Sequence, residues 1–218
     1  ELPGEALISV MKKHQRYFPV EKAGELMPYF IAITNRGGND FNQDQELVIE
    51  GNEHVIRARF ADAAFFINDD LKKSLEDYLP RLDTLIFQTK LGSMLDKTRR
   101  IQQLADDLID QTSHDPDQAA TARRAAWLCK ADLVTKMVVE MTSLQGVIGQ
   151  IYALRSGESP EVAQAIFEHY LPRYAGDRLP AGLPGLVVGL ADRLDTLSGL
   201  FAAGLAPTGA KDPFGQRR

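Results

Sequence analysis

AATARRAAWLCKADLVTKMVVEM, residues 119–141, carries apolar side chains in almost every direction when it is wound as an α-helix. A helix that is apolar nearly all round is typical of the buried centre of a helical protein. The pattern therefore predicts one central helix over 119–141, with the remaining elements packed around it.

The same helical spacing recurs on both sides of this stretch. Apolar residues at i, i+3, i+4, i+7 and i+8 predict a helix around 101–109, preceded by a turn that carries Lys97 and two arginines. Ser159 followed by Pro160 predicts a helix start that runs to about residue 170. After a loop at 180–184, a last helix from about Gly185 places four large apolar residues on one face: Leu186, Leu190, Leu197 and Phe201.

The first third of the chain contains the only strand candidates. Helical patterns cover 4–16 and 45–68, and between them 17–20 and 26–34 are rich in aromatic and β-branched residues, which favour strands. Residues 35–40, NRGGND, predict a loop. The expected fold is mainly α with a small β element near the N-terminus (α+β), divided into an α+β segment over 1–88 and a helical domain over 89–218.

Composition narrows the class of protein. The chain has 218 residues, 44% of them hydrophobic and 25% charged, which is typical of a folded globular protein. The net charge of −5 excludes a generally basic nucleic-acid binder, although a local basic patch remains open. A single cysteine, Cys129, excludes an internal disulfide framework and predicts a cytoplasmic protein. The sequence also predicts no membrane segment, and we interpret the chain as an excerpt of a longer polypeptide.

The sequence predicts no catalytic residue and no metal site. It has no glycine-rich phosphate loop and no nucleophile motif, and its four histidines are scattered without metal-ligand spacing. The polar residues of interest are charged side chains within apolar helices, where a carboxylate needs a cation beside it. They predict a structural ion-pair network, in which the cation is a basic side chain or, alternatively, a metal: Lys130, Asp132, Asp192 and Asp195.

The three carboxylates of this set belong to a recognisable pattern. Ala131-Asp132 on a central helix and Ala191-Asp192-Arg193-Leu194-Asp195 on a later one resemble the skeleton of the HD phosphohydrolases. Alanine stands at position 131, where that family has a histidine, so the resemblance implies a degenerate HD-like domain. A metal-dependent nucleotide phosphohydrolase is the alternative function, and the missing histidine ligands argue against it.

A more extensive resemblance covers the whole chain. Seven strings, in order, are similar to the beta subunit of bacterial glycyl-tRNA synthetase. They are MKKHQRYF at 11–18, EGNEHVIRAR at 50–59, DAAFF at 62–66, KADLVT at 130–135, LQG at 144–146, ADRLDTL at 191–197 and PTGAKDPF at 207–214. The sequence differs from the expected pattern at His54, at Ala210 and at 215–216.

This resemblance implies that the chain is a central part of the tRNA-recognition subunit of a glycine–tRNA ligase. The alpha subunit would use ATP and magnesium to activate glycine, so no cofactor is expected here. The implied partners are the alpha subunit and tRNA(Gly), in an alpha2-beta2 assembly. A purely structural scaffold is the other alternative. The candidate RNA contacts are basic residues that we expect to be exposed to solvent: Lys12, Lys13, His14, Arg16, Arg57, Arg59, Lys211, Arg217 and Arg218.

Overall fold

The computed structural model describes residues 2–34, 45–113, 115–209 and 211–216, with every side chain in those ranges except that of His14. The predicted loop at 35–40 and the candidates Arg217 and Arg218 lie outside the described residues. Within them the chain is mainly helical with a small antiparallel sheet near the N-terminus, so the predicted fold class is confirmed.

The N-terminal elements pack a β-hairpin against two helices. Helix α1 (Gly4–Ser9) continues as a π-helix over Val10–His14, close to the predicted helix at 4–16. Strands β1 (Phe18–Lys22) and β2 (Glu25–Ile31) pair antiparallel with Phe18 opposite Ile31, and the long helix α2 spans Gln45–Asp70. The rings of Tyr17 and Phe30 stack with centroids 4.8 Å apart. The prediction of two strands and a long helix is confirmed, with bounds shifted by a few residues.

A short connection leads into the helical part. A 3₁₀-helix over Glu76–Thr84 is followed by a second hairpin, β3 (Ile86–Gln88) and β4 (Gly92–Ser93), which the sequence analysis missed because each strand is so short. Helix α3 (Met94–Thr112) begins in a capping box, in which Ser93 and Asp96 each accept a hydrogen bond from the other's backbone N–H.

The remaining helices form one packed body. They are α4 (Pro116–Leu128), α5 (Lys136–Glu140), α6 (Val147–Arg155), α7 (Pro160–Glu168) and α8 (Leu183–Ala202). Ser159 caps α7 by accepting from the N–H of Val162, as its sequence predicts. Helix α8 packs against α3, α4 and α7, and the buried apolar residues of these helices form a continuous core.

The prediction of one helix over 119–141 is wrong. Helix α4 ends at Leu128, and a 3₁₀-helix at Ala131–Val134 separates it from α5. The break occurs where polar side chains of the stretch accept hydrogen bonds from backbone N–H groups, one of them within the stretch and two beyond it. The Thr135 hydroxyl accepts from the N–H of Val138 to cap α5, and the Asp132 carboxylate accepts from the N–H groups of Gly146 and Gly149.

A buried carboxylate joins α2 to the helical body. Asp70, 1% exposed, accepts hydrogen bonds from the N–H groups of Lys136 and Met137 at the start of α5 and from the hydroxyl of Tyr152. The hydroxyl of Tyr78 adds a fourth, longer contact at 3.4 Å. Asp70 therefore connects the two predicted segments through direct contacts, and the boundary at residue 88 stays a prediction.

Candidate functional site

The predicted carboxylates of α8 lie in a buried ionic cluster. The two oxygens of Asp192 are each bonded to a different lysine, Oδ1 to Lys97 Nζ at 2.8 Å and Oδ2 to Lys130 Nζ at 2.7 Å. Both lysine side chains are at most 5% exposed, whereas that of Asp192 is 18% exposed. The cluster holds α3, α8 and the segment just after α4 together.

Asp195 extends the cluster by one turn of α8. Its Oδ2 lies 2.9 Å from Lys97 Nζ, and its other oxygen accepts from the guanidinium of Arg100, which also donates to the carbonyl of Leu91. The hydroxyl of Thr196 gives Lys97 a further partner at 2.7 Å. Lys97 is therefore saturated with oxygen partners, as a buried cation must be.

Lys130 is bonded on three sides. Besides Asp192, its ammonium donates to Nε2 of His169 at 2.9 Å and lies 4.3 Å from the centre of the Tyr170 ring. The Nδ1–H of His169 donates to the carbonyl of Ile166, which leaves the Nε2 lone pair free to accept. Burial, reinforced by Lys130, holds the pKa of His169 well below its ordinary value, so the imidazole is neutral.

The charges set the protonation of the cluster. Burial alone would raise the pKa of Asp192, but the ammonium groups of Lys130 and Lys97 outweigh it and hold that pKa well below the ordinary range. For Lys130, burial acts to lower the pKa, and the Asp192 carboxylate more than reverses it. Asp192 is therefore ionised and Lys130 protonated throughout the neutral range.

Asp132 lies apart from this network. It makes no ion pair with any residue that the structure describes; its Oδ2 accepts from the N–H groups of Gly146 at 2.6 Å and Gly149 at 3.2 Å. Its Oδ1 is buried without a hydrogen-bond partner. Burial raises the pKa of Asp132 to about 6. A Cβ at Gly149 would lie 3.0 Å from Asp132 Oδ2, so α6 packs directly on this carboxylate.

The candidate RNA contacts are brought together only in part. Lys12 and Lys13 on the π-helix and Arg16 after it are exposed, and none forms an ion pair within the described residues. We call these three residues the first-helix patch. Arg57 borders the same region, because it lines a groove of about 540 Å³ with Met11, but its guanidinium pairs with Glu53 at 2.5 Å.

The other candidates are placed differently. Arg59 lies 3.9 Å from Asp62, in an exposed pair that competes with a phosphate contact. Lys211 is exposed in a turn in which its backbone bonds to that of Thr208. The side chain of His14, like Arg217 and Arg218, lies outside the described part of the chain.

Three residues of the cluster, and the buried carboxylate of Asp70 outside it, were not among the predicted site residues. The pattern places Lys97 and Arg100 in a turn before the helix, but they lie in its first two turns; Lys97 is four residues before the core residue Ile101, which is a detectable signal for an inward side chain. His169 and Asp70 belong to no motif, and they are identified only by their packed partners.

The arrangement is that of a helical domain held around buried lysine–aspartate pairs. Within the described ranges, no group of three or more histidine, cysteine, aspartate or glutamate residues is arranged to hold a metal ion. None of the described helices combines the length and the apolarity needed to cross a membrane.

Comparison with known proteins then gives the family. The family model described as the glycyl-tRNA synthetase beta subunit matches residues 1–218, so the chain belongs to that family. It is 53% identical over 218 residues to the glycine–tRNA ligase beta subunit of a Synechocystis strain and 51% identical over 223 residues to that of Gloeothece citriformis. The Clostridioides difficile subunit is 49% identical over 218 residues. Each match covers 100% of this chain but only 30–31% of the relative.

The chain spans about 30% of the length of the relatives that it matches.

Proposed function

We propose that this part of the subunit contacts tRNA(Gly) and holds the synthetase's domains in register, while the alpha subunit activates glycine with ATP and magnesium. The proposal includes an alpha2-beta2 assembly in the cytoplasm. The proposal of RNA contact rests on the first-helix patch. Its three cations are exposed and have no acidic partner in the described part of the chain, so they are available to bind phosphates.

The backbone of Arg16 strengthens this interpretation. Its φ of 56° lies in the left-handed region, where a residue other than glycine costs about 1–2 kcal/mol. Glycine would be the less strained residue at this helix end. Because the side chain of Arg16 makes no ion pair or hydrogen bond within the described chain, a surface role is consistent with its presence at a strained position.

The ionic cluster supports a scaffold role over the phosphohydrolase alternative. A metal-dependent hydrolase needs ligands with free lone pairs, but both oxygens of Asp192 are occupied by ammonium groups. A divalent cation at Asp192 would also lie beside the positive charges of Lys97 and Lys130 and be repelled by them.

Charge reversal of the patch in the full-length ligase tests RNA contact. The variant K12E/K13E/R16E is expected to raise the KM for tRNA(Gly) and to reduce the salt slope of binding, by about one unit or less for each phosphate that is no longer bound. The matched control is K73E/R81E/R155E, which changes the net charge equally at exposed cations elsewhere.

The single variant R16G distinguishes loss of the positive charge from loss of folding stability. Glycine relieves the left-handed backbone, so the melting temperature should stay level or rise while tRNA affinity falls. An unchanged KM and an unchanged salt slope in both patch variants, with folding intact, would refute RNA contact by this surface.

A further inference from the structure

Helix α8 presents a continuous apolar face to solvent. Leu186, Leu190 and Leu194 are 43–44% exposed, and Leu197 and Phe201 are 38% and 56% exposed. We call these five residues the leucine stripe. The other exposed positions of α8 are Ser198 and Ala202, so its outer face carries no charged side chain. The sequence analysis correctly placed four of the five on one face, and the structure turns that face away from the core.

Such a face is costly to leave in water. Burying one leucine side chain contributes about 1.5–3 kcal/mol, and singly exposed apolar residues are common, but contiguous apolar patches mark interaction surfaces. The inner face of α8 is already occupied, because Val188, Ala191 and the ionic residue Asp195 pack against neighbouring helices. The leucine stripe is therefore a second contact face of the same helix.

The spacing of the stripe indicates what covers it. From Leu190 to Phe201 the apolar residues are separated by four, three and four positions, the pattern by which one helix packs along another. A membrane-surface helix would carry basic residues beside its apolar face. The only basic residue of α8, Arg193, donates to backbone carbonyls of 169–172 and 189 instead.

Two observations favour an occupant from the same polypeptide. The stripe has no charged position, which is typical of permanent contacts and not of separable ones. The curated relatives are also about three times as long as this chain, so most of a full-length subunit lies outside the structure. We propose that an apolar helix from that remaining part of the beta subunit covers the leucine stripe. The proposal rests on family membership and is independent of RNA contact.

Thiol accessibility in the full-length subunit tests this proposal. The only cysteine of this chain, Cys129, is 0% exposed and gives no fast background; cysteines elsewhere in the subunit would be replaced. L190C and L194C are made separately, with Q111C on the exposed side of α3 as the matched control. We expect both stripe cysteines to react with a thiol reagent at least tenfold more slowly than Q111C, and all three at the same rate after denaturation.

Three results would overturn the proposal. Equal rates in the native subunit would show that the stripe is open. Protection that appears only when the alpha subunit is added would assign the stripe to that partner, and protection that grows with concentration would assign it to a second copy. If the cysteine variants do not fold, hydroxyl-radical footprinting of the unsubstituted subunit decides: Phe201 must be protected relative to the exposed ring of Tyr174, which is 63% exposed in this chain.

Discussion

Replacing Asp192 by alanine gives the sharpest test of the ionic cluster. The variant D192A removes the carboxylate that is bonded to both Lys97 and Lys130. Lys97 retains Asp195 at 2.9 Å, but Lys130 keeps only the neutral imidazole of His169 and the face of the Tyr170 ring. The main consequence is one buried ammonium group without a counter-charge.

The size of the effect follows from that burial. The Lys130 side chain is 5% exposed, so water cannot replace the missing carboxylate without local opening. Breaking a buried pair by removing one partner costs about 3–5 kcal/mol. For a chain of this size, about 2–4 °C of melting temperature corresponds to each kcal/mol, so we expect a decrease of about 6–20 °C.

The assay is thermal unfolding with three comparison variants. D195A should cost less than D192A, because Lys97 retains Asp192 at 2.8 Å and the other partner, Arg100, is 38% exposed and can be hydrated. D62A, in an exposed pair with Arg59 at 3.9 Å, should leave the melting temperature unchanged. The double variant D192A/K130M should recover much of the loss, because it also removes the uncompensated cation.

Two outcomes would refute this reasoning. An unchanged melting temperature in D192A, with tRNA charging abolished in the full enzyme, would make Asp192 a functional residue instead of a structural one. A double variant as unstable as D192A would show that the missing carboxylate, and not the unpaired ammonium, causes the loss of stability.

Three further predictions concern other residues and the isolated chain. The pKa of Asp132 is raised to about 6, so its contribution to stability is fully present below its ordinary pKa of 3.8 and is lost as the pH rises through about 6. D132N should therefore reduce the change in the free energy of unfolding between pH 4 and 6, by on the order of 3 kcal/mol, and an unchanged pH profile would contradict this. D70A should destabilise by about 2–4 kcal/mol in denaturant titration, because several buried donors lose their acceptor, whereas exposed E140A at the other end of α5 should not. The chain alone should give no ATP–pyrophosphate exchange with glycine, and turnover above background would reverse the proposed division of labour.

Sequence patterns located most elements but not their ends. The helices around α2, α3 and α7 followed from spacing and caps, because those signals are local. The break after Leu128 could not be found in the same way. It depends on Asp132 bonding to Gly146 and Gly149, and on Asp70 bonding to the start of α5 from a helix more than sixty residues away in sequence.

The sequence was sufficient to predict that an ionic cluster exists, but not to predict all the residues that form it. Two carboxylates at 192 and 195 on an apolar helix require a cation, and Lys130, one of the predicted residues, lies 2.7 Å from Asp192. Lys97 was not selected, although it is the cation that contacts both carboxylates. That a counter-charge is needed follows from the sequence of α8 alone. Which residue supplies it depends on the helices that pack beside α8.

The orientation of α8 shows which further signal was available. Apolar residues occur around most of its circumference, so periodicity alone cannot decide which face is buried within this chain. The small residues decide it: a Cβ at Gly185 would lie 2.6 Å from Glu168 Cβ, and one at Gly189 would lie 2.9 Å from the carbonyl oxygen of His169. Glycines let α8 approach α7 closely, so the face that carries them must be the inner one. The leucines of the stripe then point outward, where a helix at ordinary packing distance has room for them.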